Sequence, residues 1–199
     1  MNDDKYWYRN KKSVFGNISS SNHSDLERVK WDFYSTDPIA IDFLLKHESF
    51  DRNIWECACG NGNLSKRLEK YGYKVFSSDL VDRGYGVGNV DFLKQKKSFN
   101  GDIITNPPYN LSTDFVLKGL ELSKRKVAMF LKVQFLEGMG RYEKLFKNNP
   151  PSKMYVFVNR VNCYPNNKSV DFRSGVCYCW YVWDKEYMGE PRIKWIDNR

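Results

Sequence analysis

The feature that most constrains the fold of this chain is an alternation of short apolar runs with amphipathic stretches from residue 53 onward. Such alternation is typical of strands joined by crossover helices in a mostly parallel sheet. The predicted strands cover residues 53–57, 74–78, 103–105, 127–132, 154–158 and 176–183. The predicted helices cover residues 63–71, 112–123 and 139–147, after an earlier helix over 37–45 with Pro38 in its first turn. The sequence therefore predicts an α/β fold.

A single domain accounts for most of the chain. Its 199 residues lie in the usual size range of one domain. Residues 1–24 have no sustained period and are rich in basic and aromatic side chains, so we predict an N-terminal arm before a domain over 25–199. A capping-box spacing at Ser24 predicts a short helix toward Trp31. Residues 159–175 lack a helical period, and we expect the strands on either side to pair as an antiparallel hairpin with a long loop.

Two sequence features indicate a nucleotide-like ligand at the carboxyl ends of the first strands. The first predicted strand runs into a turn with Gly60 and Gly62, where the backbone can approach a ligand closely. Asp79 ends the next strand, about 20 residues after Gly60, which is the interval at which a carboxylate reaches ribose hydroxyls. Because residue 65 is Ser65, the full dinucleotide fingerprint is absent. The pattern therefore favours an adenosine-bearing cofactor other than NAD.

Asp91 and Phe92 follow in a position that we place near the end of a third strand. A carboxylate at this point accepts hydrogen bonds from an adenine amino group, and an aromatic ring flanks the adenine. We therefore interpret the pair as a candidate adenine site.

The segment Asn106-Pro107-Pro108-Tyr109 directly follows a short apolar strand. Consecutive prolines fix the backbone dihedrals and donate no hydrogen bonds, so the loop presents carbonyl oxygens at little entropic cost. Asn106 Oδ1 and the Pro107 carbonyl can accept both hydrogens of a planar amino group, while the Tyr109 ring stacks on the ring that carries it. This segment is the predicted catalytic loop.

These motifs, in this order over residues 34–132, resemble the class I S-adenosylmethionine-dependent DNA amino-methyltransferases, and the adenine-N6 branch in particular. The resemblance implies a Rossmann-like class I methyltransferase fold, with a mostly parallel seven-stranded sheet and an antiparallel last strand. It implies catalysis by Asn106, Pro107, Pro108 and Tyr109. The implied cofactor is S-adenosylmethionine, bound by Tyr34, Thr36, Pro38, Glu56, Cys57, Ala58, Gly60, Gly62, Asp79, Leu80, Asp91, Phe92 and Asn106.

Charge and composition favour a nucleic-acid partner. The net charge is +8, from 32 basic and 24 acidic residues, and 16% of the residues are aromatic, which supplies rings for stacking on bases. The loop over 159–175 mixes cations, amides and aromatic rings, and it is either a basic surface loop or a substrate-recognition loop. Its candidate substrate contacts, together with Tyr109, are Arg160, Tyr164, Lys168, Phe172 and Arg173.

The chain has little room for the separate target-recognition domain that many DNA methyltransferases carry. Specificity would then come from loops, from the N-terminal arm, from a specificity subunit or from a homodimer. In duplex DNA the target base would be flipped into the pocket.

Four alternatives remain open. The substrate could be adenine in RNA, or a protein glutamine, whose amide fits the same loop. Cytosine N4 is a further target, although that branch more often has serine at the position of Asn106. A non-catalytic nucleic-acid-binding protein on the same fold is the fourth.

The remaining sequence features indicate a reduced, cytoplasmic environment. The five cysteines form neither a paired disulfide framework nor a zinc signature, and we predict no metal site. The N-terminus has no apolar signal region, and no apolar stretch is long enough to span a membrane.

Overall fold

The computed structural model of the protein describes residues 34–165 and 176–199. The predicted arm over 1–24 and the predicted helix toward Trp31 lie outside these residues. The strands are β1 (Tyr34–Thr36), β2 (Asn53–Glu56), β3 (Lys74–Ser77), β4 (Asp102–Thr105), β5 (Lys126–Lys132), β6 (Lys153–Phe157), β7 (Cys163–Pro165), β8 (Tyr178–Asp184) and β9 (Arg192–Ile196). The helices are α1 (Ile39–His47), α2 (Asn63–Lys70), α3 (Ser112–Leu122) and the single turn α4 (Met139–Arg141).

Seven strands form one sheet in the order β3-β2-β4-β5-β8-β6-β9. All pairs are parallel except those made by β8, which runs antiparallel to β5 and to β6. The prediction of a mostly parallel seven-stranded sheet is confirmed, and so is the antiparallel hairpin of the last two predicted strands. A further parallel strand, β9, follows them at the sheet edge. The sequence analysis missed β9 because Pro191 and the charged Arg192 and Lys194 interrupt its apolar residues.

Three other segments differ from the predictions. The predicted helix over 139–147 is the single turn α4 followed by a π-helix over Tyr142–Phe146. Residues 163–165, predicted as part of an irregular loop, form β7 and pair antiparallel with β1. Asp91 and Phe92 do not end a strand, since Asp91 caps a 3-10 turn over Phe92–Lys94 by accepting a hydrogen bond from the Leu93 N–H at 3.1 Å. Of these differences, the pairing of β7 with β1 is a tertiary contact, which local periodicity does not encode.

Helices cover both faces of the sheet. On one face α1 and α2 bury Ile41, Leu44, Leu64 and Leu68 against the sheet. On the other face α3 and the π-helix bury apolar side chains that include Val116, Leu122 and Leu145. Burial on both faces explains why the central strand β5 contains a continuous apolar run between its terminal lysines.

The amino edge of the sheet is fixed by buried charges. Lys126 donates a hydrogen bond to Glu48 Oε2 at 2.7 Å, and Lys153 and Tyr155 donate to Oε1 of the same carboxylate. Burial alone would raise the pKa of Glu48, but the hydrogen bonds from these partners outweigh it and lower that pKa. This cluster lies at the opposite edge from the carboxyl ends of the parallel strands.

The strand order reverses between β2 and β4, because β3 lies on one side of β2 and the chain then crosses to β4 on the other side. In open α/β sheets, ligands bind in the crevice outside the carboxyl ends of the strands at such a switch point. The topology therefore places a candidate site above β2 and β4.

Candidate functional site

A cavity of about 490 Å³ lies at this switch point. Its volume is in the range of small-molecule sites. The walls come from four segments that are distant in sequence: β1, the turn after β2, the segment after β3, and the loop after β4. The fold therefore brings together the motifs that the sequence analysis singled out.

The turn after β2 needs glycine at two positions for different reasons. Gly60 has φ of 56°, and its N–H donates a hydrogen bond to Asp79 Oδ2 at 2.8 Å, which ties the turn to the end of β3. Gly62 has φ of 82°, and a Cβ there would lie 2.3 Å from the Tyr85 ring. Gly60 lines the cavity, whereas Gly62 is not among its lining residues. The role of Gly62 in this structure is to fit beneath Tyr85.

Asp79 lies in the wall of the cavity, after β3. One carboxylate oxygen accepts the Gly60 N–H, and the other accepts the Val81 N–H at 2.9 Å. Each oxygen of a carboxylate has two lone pairs, so each retains one acceptor position. Asp79 is thus held rigidly by the backbone and can still accept two hydrogen bonds from a ligand.

Glu56, at the end of β2, is a buried carboxyl group in the wall of the cavity. Ser65 Oγ donates a hydrogen bond to its Oε2, and Ser77 Oγ donates to Ser65 Oγ at 2.7 Å. Burial raises the pKa of Glu56 to about 8; the hydrogen bonds from Ser65 oppose this effect, and the negative charge of Asp79 adds to it. Glu56 is therefore mostly protonated at neutral pH.

Asp91 and Phe92 also line the cavity. The Asp91 carboxylate accepts the Leu93 N–H and lies 3.2 Å from Lys94 Nζ. Phe92 is almost fully buried, and its ring packs edge-on against Trp55 with the ring centroids 5.1 Å apart. The 3-10 turn that corrects the strand prediction is thus held in place by Phe92 and presents Asp91 to the cavity.

The predicted catalytic loop follows β4, whose four residues are all buried. Asn106 Nδ2 donates a hydrogen bond to Thr36 Oγ1 at 2.8 Å. Because an amide carries its oxygen on the other side of Cγ, this bond sets the orientation of Oδ1. Thr36 is itself fixed by the pairing of β1 with β7, in which Thr36 lies opposite Cys163. The β1–β7 ribbon therefore orients the amide of Asn106.

Tyr109 lines the cavity at the end of this loop. Its hydroxyl lies 3.4 Å from Cys163 Sγ, and its ring centroid lies 5.8 Å from that of Tyr178. The Lys132 ammonium is 5.0 Å from the Tyr109 ring centroid. Burial raises the pKa of the Tyr109 hydroxyl well above its ordinary value, so the phenol stays neutral.

Most of the residues predicted from sequence meet at this cavity. The predicted residues that line it are Thr36, Glu56, Cys57, Ala58, Gly60, Asp79, Leu80, Asp91, Phe92, Asn106, Pro107, Pro108 and Tyr109. Pro38 and Gly62 do not line it; Pro38 caps α1. Tyr34 lies in β1, next to Ser35 and Thr36, which line the cavity.

The predicted substrate loop is only partly within the described residues. Arg160 is exposed and does not line the cavity. Tyr164 lies in β7, opposite Ser35 in the cavity wall. Lys168, Phe172 and Arg173 lie outside the described residues.

The sequence analysis missed Asn63 and Ser35. Asn63 Nδ2 donates to Ser35 Oγ and, at 3.4 Å, to the Thr36 carbonyl, which joins the start of α2 to β1. Asn63 is the first residue after the glycine turn, and a polar side chain there was the available signal.

Within residues 34–165 and 176–199, no group of His, Cys, Asp and Glu side chains has the arrangement of a metal site. The same residues contain no helix with the length and apolar character required to cross a bilayer.

No protein-family model matches the chain, and no curated protein sequence matches it. Solved structures do match its fold. A candidate RNA methyltransferase from Pyrococcus horikoshii has a TM-score of 0.53 at 15% identity, over 88% of this chain and 98% of that protein. A candidate hemolysin from Lactococcus lactis has a TM-score of 0.55 at 12% identity, over 79% and 91% of the two chains.

A third structure, magnesium protoporphyrin IX methyltransferase from Synechocystis with bound SAH, has a TM-score of 0.50 at 10% identity, over 87% of this chain and 94% of that protein. At these identities the matches show the fold alone. Together with the sheet order, they show that the chain has the Rossmann-like α/β fold of class I methyltransferases.

Proposed function

We propose that this protein transfers a methyl group from S-adenosylmethionine to the exocyclic N6 amino group of adenine in nucleic acid, with DNA as the first substrate. The observation that carries the proposal is the position of the Asn106–Tyr109 loop. This loop directly follows a fully buried strand, and it lines the same cavity as the Asp79 carboxylate and the Gly60 turn. The proposed reaction requires an amino-group acceptor next to a nucleoside site, and this arrangement supports it.

The residues in the cavity fit the proposed cofactor. Asp79 has acceptor positions for two ribose hydroxyls, and Asp91 can accept an adenine amino hydrogen. Leu80, next to Asp79, and Leu93, two residues after Asp91, supply apolar wall to the same cavity. Glu56 and Asn63, which flank the glycine turn in the sequence, also line the cavity and are suited to the polar amino-acid end of the cofactor.

The bound cofactor would supply an electrophilic methyl group on a positively charged sulfur. The lone pair of an adenine amino group is delocalised into the ring, so the protein must make that nitrogen a better nucleophile. Asn106 Oδ1 and the Pro107 carbonyl accept its two hydrogens, which favours a tetrahedral nitrogen with a localised lone pair. In the transfer, the nitrogen–carbon bond would form as the sulfur–carbon bond breaks, which would leave S-adenosylhomocysteine, and the surplus proton on nitrogen would pass to solvent.

Two features of this chain support precise positioning of these acceptors. Pro107 and Pro108 restrict the backbone, and the bond from Asn106 Nδ2 to Thr36 leaves Oδ1 as the end of the amide that meets the substrate. Tyr109, held by Tyr178 and Cys163, provides the ring on which the base stacks. Proximity of the bound methyl group to the nitrogen would supply most of the remaining acceleration.

RNA is the second candidate substrate, because the structural match from Pyrococcus horikoshii is itself a candidate RNA methyltransferase. The catalytic loop treats adenine in RNA and in DNA alike. A protein glutamine is less favoured by the net charge of +8.

The test is to incubate the protein with S-adenosylmethionine and unmethylated DNA, or RNA in parallel, and to identify methylated nucleosides by mass spectrometry. Asn106→Ala should abolish N6-methyladenine formation while cofactor binding, measured by calorimetry, stays within a few-fold. Asn100→Ala is the matched control, since Asn100 is exposed and precedes the amino end of β4. Methylation of glutamine in a protein substrate, with no methylated nucleoside, would contradict the proposal.

A further inference from the structure

Lys132 lies beside the catalytic loop, and neither the motifs nor the mechanism accounts for it. It is the last residue of β5, and its ammonium lies over the Tyr109 ring at 5.0 Å from the centroid. None of the ion pairs between described residues includes Lys132. A half-buried cation next to the ring that stacks on the substrate can bind an anionic part of that substrate.

The position of Lys132 follows from strand register. Thr105, the end of β4, lies opposite Met129 of β5, so β5 continues three residues further. At about 3.3 Å per residue this carries Lys132 roughly 10 Å past the end of β4. That extension brings it level with the loop that leaves β4 and directs the following residues beyond the rim of the site.

The residues after Lys132 form what we call the post-β5 loop, Val133–Tyr142. Arg141 Nη1 donates to the carbonyls of Phe135 at 2.7 Å and Gln134 at 3.3 Å, and also to that of Glu137. Its guanidinium lies over the ring of Phe135, which is buried against Tyr181 and Phe146. Gly138 has φ of 130°, a conformation that favours glycine. These contacts hold the loop in one shape.

This rigid loop presents apolar side chains to solvent. Leu136, Met139 and Tyr142, which we call the tip, are 43%, 84% and 53% exposed. Glu143, next to the tip, is paired with Lys147 at 3.0 Å. A backbone fixed by these contacts that exposes large apolar groups in the segment after Lys132 indicates a contact surface, because exposed apolar groups held in this way mark interaction sites.

We propose that Lys132 and the tip form the nucleic-acid contact surface of the site. Lys132 binds a phosphodiester of the nucleotide whose base lies against Tyr109. When this base leaves the stack, its neighbouring bases are exposed, and the tip packs against them. Charge supports nucleic acid as the occupant, since the chain carries +8 and Lys132 has the sign that a phosphodiester requires. Apolar wedges beside phosphate-binding cations are a recurring means of holding unstacked nucleic acid. This inference rests on the proposed function and names the substrate class for it.

The experiment measures binding of a fluorescent adenine-containing oligonucleotide, as single strand and as duplex, over a series of salt concentrations in the presence of S-adenosylhomocysteine. Lys132→Gln should weaken binding severalfold and reduce the slope of log affinity against log salt by about 0.7 to 0.9, the value for one phosphate contact. Lys74→Gln is the control, because Lys74 is an exposed lysine at the amino edge of the sheet.

Met139→Ala should weaken binding by about fivefold or more without changing the salt slope, as expected for an apolar contact with bases. Met188→Ala is its control, since Met188 is 95% exposed in the turn after β8, away from the site. Melting temperatures of all four variants, and their affinity for S-adenosylhomocysteine, should match those of the wild type.

The proposal would be overturned by equal salt slopes for Lys132→Gln and Lys74→Gln, or by equal affinities for Met139→Ala and Met188→Ala. It would also be overturned if the wild type bound no oligonucleotide at low salt. The two proposals fail separately. If the variants and their controls bind alike while N6-methyladenine is still formed, the proposed reaction stands and the proposed contact surface is rejected. The predicted differences without any methylated adenine would support the surface and contradict the reaction.

Discussion

Replacement of Glu56 by glutamine should stabilise the protein at neutral and alkaline pH. Burial raises the pKa of Glu56 from 4.5 to about 8, so the folded protein holds a proton that the unfolded chain releases. The contribution of this group to stability is therefore complete below pH 4.5 and is lost as the pH rises through about 8. At pH 7 the loss is about 3 kcal/mol, since each pH unit between the unfolded pKa and pH 7 costs about 1.4 kcal/mol.

Urea unfolding of the wild type and Glu56→Gln at pH values from about 5.5 to 8 provides the assay. Glutamine has the same shape and can still accept the hydrogen bond of Ser65, so the two proteins should differ mainly in proton binding. Their difference in unfolding free energy should change by about 3 kcal/mol over this range, or roughly 6–12 °C in melting temperature for a chain of this size.

Glu186→Gln is the control, because Glu186 is an exposed carboxylate whose side chain is 72% accessible, and it should follow the wild-type pH profile. Parallel profiles for the wild type and Glu56→Gln would refute the reasoning, since they would mean that Glu56 carries no extra proton in the folded state.

Three further predictions concern single positions. Gly62→Ala should lower the unfolding free energy by about 2–4 kcal/mol in thermal or urea unfolding, because the added Cβ would meet the Tyr85 ring. Gly72→Ala, at a similar φ with open space around it, should lower the unfolding free energy by only about 1–2 kcal/mol. Equal losses for the two variants would contradict this prediction. Under the proposed function, Thr36→Val should lower kcat about tenfold, because the bond to the Asn106 amide is lost, and Thr36→Ser should restore kcat; a change in cofactor KM alone would oppose this role. Lys126→Met should destabilise the protein by about 1–3 kcal/mol in urea unfolding, because the buried Glu48 carboxylate loses one cation while Lys153 and Tyr155 still donate to it, and an unchanged unfolding free energy would contradict this.

Most of the residues that line the cavity could be predicted from sequence to lie together, because each motif is local. A glycine turn after an apolar run, a carboxylate after the next run, and Asn106 to Tyr109 after a third all mark strand ends. The carboxyl ends of parallel strands meet at one edge, so their order along the chain was enough to predict a shared cavity. The same logic placed Asp91 beside the site even though its local structure is a turn and not a strand end.

The alternation of apolar and amphipathic segments by itself determined the α/β class and six of the seven strands of the main sheet. The lack of a helical period over residues 159–175 predicted the antiparallel direction of β8. Only the tertiary structure decided which distant residues touch. Thr36 contacts Asn106, 70 positions away, because β1 is held by β7. Lys132 contacts Tyr109 because β5 extends beyond the end of β4. Local periodicity reports how a segment folds, whereas contacts such as these depend on strand order, register and relative length, which exist only once the sheet is assembled.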